Sequence, residues 1–363
     1  MAGRLSGPIK FAAIVAIGFV VIIAVCASLV PRRPKLTDAD AMLTHARNAL
    51  KRRDFATAEQ MARQAIEDNT TLKGAAWIVA GEATVQQKKF EEAVTCFLNV
   101  VECSSQGEEQ AIARALAGDI LARQLHRLRD AEAQYRLALE ASPKNDNARL
   151  GLSMLLAAEG RRREAEDVLL SIVRDNRHSE QHLFLLGNSE WIIESLAYKT
   201  REGDTQVKRS EFLELSRKAV PDDLTPTMGL ARLAEVKNQA VQAIGLLESV
   251  IEKDPGQIEA WAMLGGLLAR TGEPRKFLDW NRRLPEAADD DPRTWFARAT
   301  WATRLDQDDV AARCLWECLA RDPNHLAANL QLAQALDRLG RTKDADPFRL
   351  RASRLSELTT LLR

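Results

Sequence analysis

Residues 258–272 read IEAWAMLGGLLARTG, and residues 292–306, 34 positions further on, read PRTWFARATWATRLD. In the first stretch Trp261, Leu264, Gly265 and Leu268 fall at spacings of three, one and three, which puts them on one face of a helix. Small Gly265 in that face lets a second helix approach closely, and Gly272 ends the first helix. The preceding unit shows the second helix, with Ala243, Leu247 and Val250 on one face before a stop at Pro255. The unit from Pro292 has the same layout, with Trp295, Ala299, Ala311, Leu315, Cys318 and Pro323. Ala243, Phe277, Ala311 and Ala345 occupy equivalent places at a period of 34. A fixed period of that size specifies a stacked array of helix pairs, an architecture that presents a surface more readily than a reaction centre.

Upstream the same small residue stands at 58, 93, 131 and 165, in steps of 35, 38 and 34, so short insertions lie in the first half. The step from 165 to 243 is 78, two periods plus ten. A degenerate unit fits there, with a first helix from about Glu180 to Tyr198, an inserted polar loop over 199–210, and a second helix from about Glu211 to Val220. Phe277, beside Pro274 and followed by Trp280 and Pro285, predicts a second helix that is short or displaced. The acidic run Glu286–Asp291 suits the capping of the helix that begins at Pro292. Phe348, Leu350, Leu355, Leu358 and Leu361 follow Asp346-Pro347 at helical spacing and predict a terminal capping helix.

This pattern resembles the tetratricopeptide repeat, in which Trp, Leu, Gly and Tyr mark the first helix and Ala, an aromatic or Leu, Ala and Pro the second. Trp77, Gly81, Phe90, Ala93 and Phe97 match one unit, and Leu128, Ala131, Tyr135, Ala138 and Pro143 the next. Ala46, Phe55, Ala58, Ala62 and Ala65 match the first unit, Gly160 and Ala165 mark the fourth, and the last keeps Leu332, Ala333, Leu336, Gly340 and Ala345. The resemblance implies an all-α, helical-hairpin solenoid of about nine repeats, one or two of them degenerate. It divides into a first sub-array over 38–198 and, after the inserted loop, a second over 211–355, with residues 356–363 ending the capping helix.

Ahead of the array lie a basic tail, 1–10, an apolar stretch, 11–30, and a basic linker, 31–37. Phe11 to Val30 carries no charge and one Ser; as a helix it spans about 30 Å, the thickness of a bilayer's hydrocarbon, and predicts one transmembrane helix. The rival reading is a cleaved leader, since Val25-Cys26-Ala27 loosely resembles a processing site, but the stretch exceeds the usual leader core. A lipid-modified Cys26 is disfavoured by the branched Val25 before it. The short basic tail favours a cytoplasmic N-terminus and an extracytoplasmic array anchored in a bacterial inner membrane, against which Arg32, Arg33 and Lys35 weigh. The chain balances 51 basic against 51 acidic residues, and beyond residue 35 the net is −5, which argues against a nucleic-acid footprint.

Little here carries chemistry. Cys96, Cys103, Cys314 and Cys318 lie within the array; Cys314 and Cys318 lack the spacing of a zinc site, packing explains Cys318 at a position the family fills with a small residue, and an exposed reactive thiol stays open. His178 and His182 stand four apart without the Glu of an HExxH motif. No nucleophile elbow, P-loop or Gly-rich dinucleotide fingerprint appears, so no catalytic, metal or cofactor residue is assigned, and no small-molecule substrate is expected. What the resemblance implies is a protein or peptide partner held along the first helices. By the family's register those positions are Arg47, Glu82, Asp119, Met154, Asn188 and Arg232, with Trp191 and Phe296 as apolar anchors. Their mixed charge differs from the Lys/Asn clamp with which some members hold a chaperone's acidic tail. The expected role is a membrane-held scaffold in envelope assembly, secretion or biogenesis. The alternatives are a cleaved periplasmic binding module and a metal- or thiol-dependent sensor or enzyme using His178, His182 or the cysteines.

Overall fold

A computed structural model of the chain describes residues 38–68, 73–175, 198–199, 206–207 and 209–361. Among them are seventeen α-helices, one 3-10 turn and one two-stranded ladder. The chain divides between Gln87 and Lys88 into two compact units. The first holds α1 (Asp38–Lys51), α2 (Phe55–Asp68) and α3 (Lys73–Gln86), which meet around Ala49, Ala58 and Ala83. The apolar stretch 11–30, His178, His182 and the helix expected over 180–198 lie outside the described residues, apart from Tyr198. Among the described residues no helix is long and apolar enough to cross a membrane.

The second unit begins with α4 (Phe90–Cys103), α5 (Gly107–Arg123), α6 (Leu128–Ala141), α7 (Asp146–Glu159) and α8 (Arg162–Asp175). It resumes with α9 (Arg209–Ala219), α10 (Thr225–Val236), α11 (Ala240–Lys253), α12 (Ile258–Thr271) and α13 (Pro274–Arg283). After the 3-10 turn Glu286–Asp290 come α14 (Pro292–Arg304), α15 (Asp308–Arg321), α16 (Leu326–Arg338) and α17 (Thr342–Leu361). Tyr198, where the periodicity ends a helix, instead pairs antiparallel with Val207, and Lys199 with Gln206, as strands β1 (Tyr198–Lys199) and β2 (Gln206–Val207).

One local rule generates the hairpins. Arg53, Lys88, His126, Gly160, Asn238, Gly272, Asp306 and Gly340 are the described residues with positive φ, between 56° and 81°. Each stands five positions before the recurring residue at 58, 93, 131, 165, 243, 277, 311 and 345. A left-handed residue there stops one helix and turns the chain into the next. The recurring residue then donates its backbone N–H to the carbonyl four positions back, at 2.9–3.2 Å in all eight places, and so closes the first turn of the second helix. Seven of the eight are alanines with no exposed surface, because this is where paired helices come closest.

Phe277 keeps that geometry but replaces the alanine, and the consequences are local. Its helix, α13, has 10 residues where α11 and α15 have 14. Pro274 fixes the start, and Leu284-Pro285 forces the chain out of helical geometry at the end. The larger side chain is accommodated by stacking on Trp301, centroids 4.5 Å apart, and tilting against Trp280 at 5.0 Å. Gly265 makes room for Trp280: a Cβ there would overlap the indole ring, whose Nε1–H donates to the Trp261 carbonyl at 2.9 Å.

Candidate partner-binding face

Consecutive first helices adjoin one another in the second unit, α5 with α7 and α12 with α14, while α10 packs on α7. Their inter-helix polar contacts recur with the period. Trp261 Nε1 donates to Pro255 O at 2.9 Å, and Trp295 Nε1, 34 residues on, donates to Asp289 O at 2.7 Å. At the next equivalent place Asn329 Nδ2 donates to Pro323 O at 3.0 Å. In each case a side chain near the start of a first helix holds the loop six residues upstream, so the entry angle of the helix is fixed whether the residue is Trp or Asn.

The sequence-predicted lining residues fall into three places. In the first unit Arg47 on α1 and Glu82 on α3 are exposed; desolvation by neighbouring helices raises the Glu82 carboxyl pKa, and the Arg47 charge pulls it back down. On α5 and α7, Asp119 accepts a hydrogen bond from Tyr135 Oη at 2.7 Å, and Arg123 Nη2 lies 4.0 Å from Asp119 Oδ1 and 3.9 Å from Met154 Sδ. The structure thus brings Asp119 and Met154 together through Arg123. Further along, Arg232 on α10 donates to the Glu159 carbonyl at 3.0 Å and pairs with Glu259 at 2.8 Å. Phe296 is half-buried on α14 against the His325 ring, 4.7 Å between centroids. Asn188 and Trp191 lie outside the described residues.

Several residues of this face escaped the sequence reading. Glu259 sits between Arg232 and Arg293, the latter 3.6 Å away and also paired with Asp291 at 2.6 Å. Arg270 pairs with Glu235 at 2.6 Å and Arg338 with Asp308 at 2.6 Å, each reaching back to an earlier hairpin. Arg304 lies across Gly272, where a Cβ would collide with its guanidinium, and donates to Arg270 O at 3.4 Å. Arg270, Arg304 and Arg338 stand 34 residues apart at the carboxyl ends of their helices, where a cation meets the helix's partial negative charge. That arginine period was the signal available in the sequence. Most charges on the face already have partners, so the face is preformed and its net field small.

Arrangements that would support chemistry are limited. Among the described residues no group of three or more His, Cys, Asp or Glu is placed to hold a metal. Cys96, Cys314 and Cys318 are buried thiols and Cys103 an exposed one. Burial pushes the Cys318 thiol up to about 12, aided by Asp322, which keeps it protonated and a poor nucleophile.

Comparison with known proteins bears on the fold. One tetratricopeptide repeat model matches residues 122–185 and 237–299, and a second matches residues 43–108, together about half of the chain. No curated protein matches it. Among solved structures, a tetratricopeptide repeat protein from Parabacteroides merdae is 12% identical over 82% of this chain and 99% of its own, with a TM-score of 0.36. The Cut9–Hcn1 hetero-tetramer of the APC/C gives 15%, 92%, 68% and 0.38, and YrrB, a TPR protein with an unusual peptide-binding site, 16%, 64%, 95% and 0.32. With every one of those TM-scores below 0.5, the assignment stands on the repeat models and on the turn geometry. Periodic residues, uniform left-handed turns and two matching models agree, and the chain belongs to the tetratricopeptide repeat proteins.

Proposed function

We propose that this protein is a scaffold that holds protein or peptide partners against its first helices and is itself held at a membrane by residues 11–30. The repeats make it a protein-interaction scaffold. The observation that carries the mode of binding is the face of α5 and α7. There Arg123 already bridges Asp119 and Met154, and Leu150 stands beside them on α7 with 37% of its surface exposed. A partner gains affinity there from a few apolar anchors in a preorganised setting, with no covalent step. The membrane part of the reading rests on the uncharged twenty-residue stretch, and an extracytoplasmic role in envelope assembly, secretion or biogenesis on the basic tail before it.

Site-specific photo-crosslinking in cells tests the binding mode, with the crosslinker at Leu150 and, as a control, at Val241 on α11, which is 87% exposed. Discrete adducts from position 150 and none from 241 are expected. Equal patterns from both positions would remove the first helices as the binding face. Reporter fusions at the C-terminus, one active only outside the cytoplasm and one only inside, test the orientation separately.

A further inference from the structure

The last turn of α7 is where α10 and α9 dock, and its chemistry is unusual. Glu159 ends the helix with 0% of its surface exposed. Its Oε2 lies 3.2 Å from Arg161 Nη1, while its Oε1 has no hydrogen-bond partner. The same Arg161 nitrogen is 2.8 Å from Glu132 on α6, so two carboxylates share one guanidinium nitrogen. The other charged groups facing this spot are Arg136 on α6, paired with Glu132, and Glu164 on α8, paired with Arg161 and Arg136. From α9 comes Arg209, from α10 Arg232, and beyond it Glu259 on α12. Arg209 and Arg232 donate to the carbonyls of Ala158 and Glu159, the acceptors that an α-helix leaves open at its end.

A Cβ placed on Gly229 of α10 would lie 3.4 Å from the Glu159 Cα, so the two backbones are almost in contact. An ionised Glu159 therefore has one bare oxygen and a neighbouring carboxylate, whereas a protonated one gives up the shared ion pair with Arg161 and the attraction of Arg232 but removes a charge from a buried place. We infer that Glu159 is a proton-operated latch on the α7–α10 contact: one proton from solvent closes it, and loss of that proton loosens α10 from α7. Burial first, and then the Glu132 charge, push the Glu159 carboxyl up to about 7, against the pull of Arg161 and Arg232. The latch thus works across neutrality, and Arg232, which belongs to the candidate partner face, moves with it.

Amide hydrogen exchange on the 363-residue chain between pH 5.5 and 8.5, corrected for intrinsic rates, tests this. Protection in α10 and the last turn of α7 is expected to fall by about tenfold as pH rises, with a midpoint near 7. Glu159→Gln, an isostere of the protonated form, should hold the acid-like protection at every pH. Glu132→Gln should leave the fall in place but move its midpoint to lower pH. A pH-independent wild type, or a Glu159→Gln chain that keeps the wild-type slope, would overturn the latch. Should Glu159→Gln fail to fold, an unmoved midpoint in Glu132→Gln decides against it equally.

Discussion

At the scale of single residues, small side chains set how closely helices approach. Gly265 was legible as such in the sequence, because the spacing around Trp261 put a glycine in the packing face. The ring that fills its space was not: Trp280 belongs to a helix that carries Phe277 in place of the usual alanine, and only the folded contacts show the indole over the glycine. Gly265→Ala is expected to destabilise the chain by about 1–3 kcal/mol, since the added methyl overlaps a buried ring. A urea midpoint equal to wild type would refute that packing. Glu159 was illegible for a different reason. A glutamate before a helix-ending glycine ordinarily reads as solvated, yet this one is buried, and Gly229 and Arg232, which reach its backbone, lie some seventy positions away.

At the scale of elements, boundaries were readable wherever a residue type has a mechanical reason to be there. Asp291 caps α14, its Oδ1 accepting from Arg293 N at 2.8 Å, as the acidic run before Pro292 suggests. Asp291→Ala should cost about 1 kcal/mol, and Asp291→Asn only a fraction of that. Chemical denaturation of both variants, with exchange rates in the first turn of α14, measures the difference. The shortness of α13 was likewise legible from its two prolines. The ladder of Tyr198 and Lys199 with Val207 and Gln206 was not, because a polar, Gly-centred run reads as loop and four residues of pairing leave no periodic signature.

At the scale of the whole molecule, contacts are mostly between neighbouring hairpins, so damage should stay local. Gly151 faces the Tyr135 ring, which leaves no space for a Cβ. Gly151→Val should raise exchange in α5 to α8 while α14 to α17 keep their protection; uniform loss would mean that the second unit melts as one body. Stability should also depend on pH in a definite direction. Glu159 has a folded value raised to about 7 from an ordinary 4.5, so its contribution is complete below 4.5 and disappears as pH rises through 7. That loss is about 3 kcal/mol at most, and it should appear as a fall in urea midpoint from pH 5 to 8 that Glu159→Gln lacks. The architecture was readable because it repeats; the candidate face was readable only in part, since its partners come from several hairpins at once.

The constant five-residue offset between each left-handed turn and the residue after it has a consequence for how such a chain can change length. Steps between repeats vary, at 35, 38, 34 and 78, yet the offset does not. The extra residues in the longer steps thus all fall outside one short window per hairpin. A foreign epitope spliced beside Gly256, between α11 and α12, should leave the array folded and display the tag. The same epitope placed between Gly272 and Phe277 should yield an insoluble or protease-sensitive product.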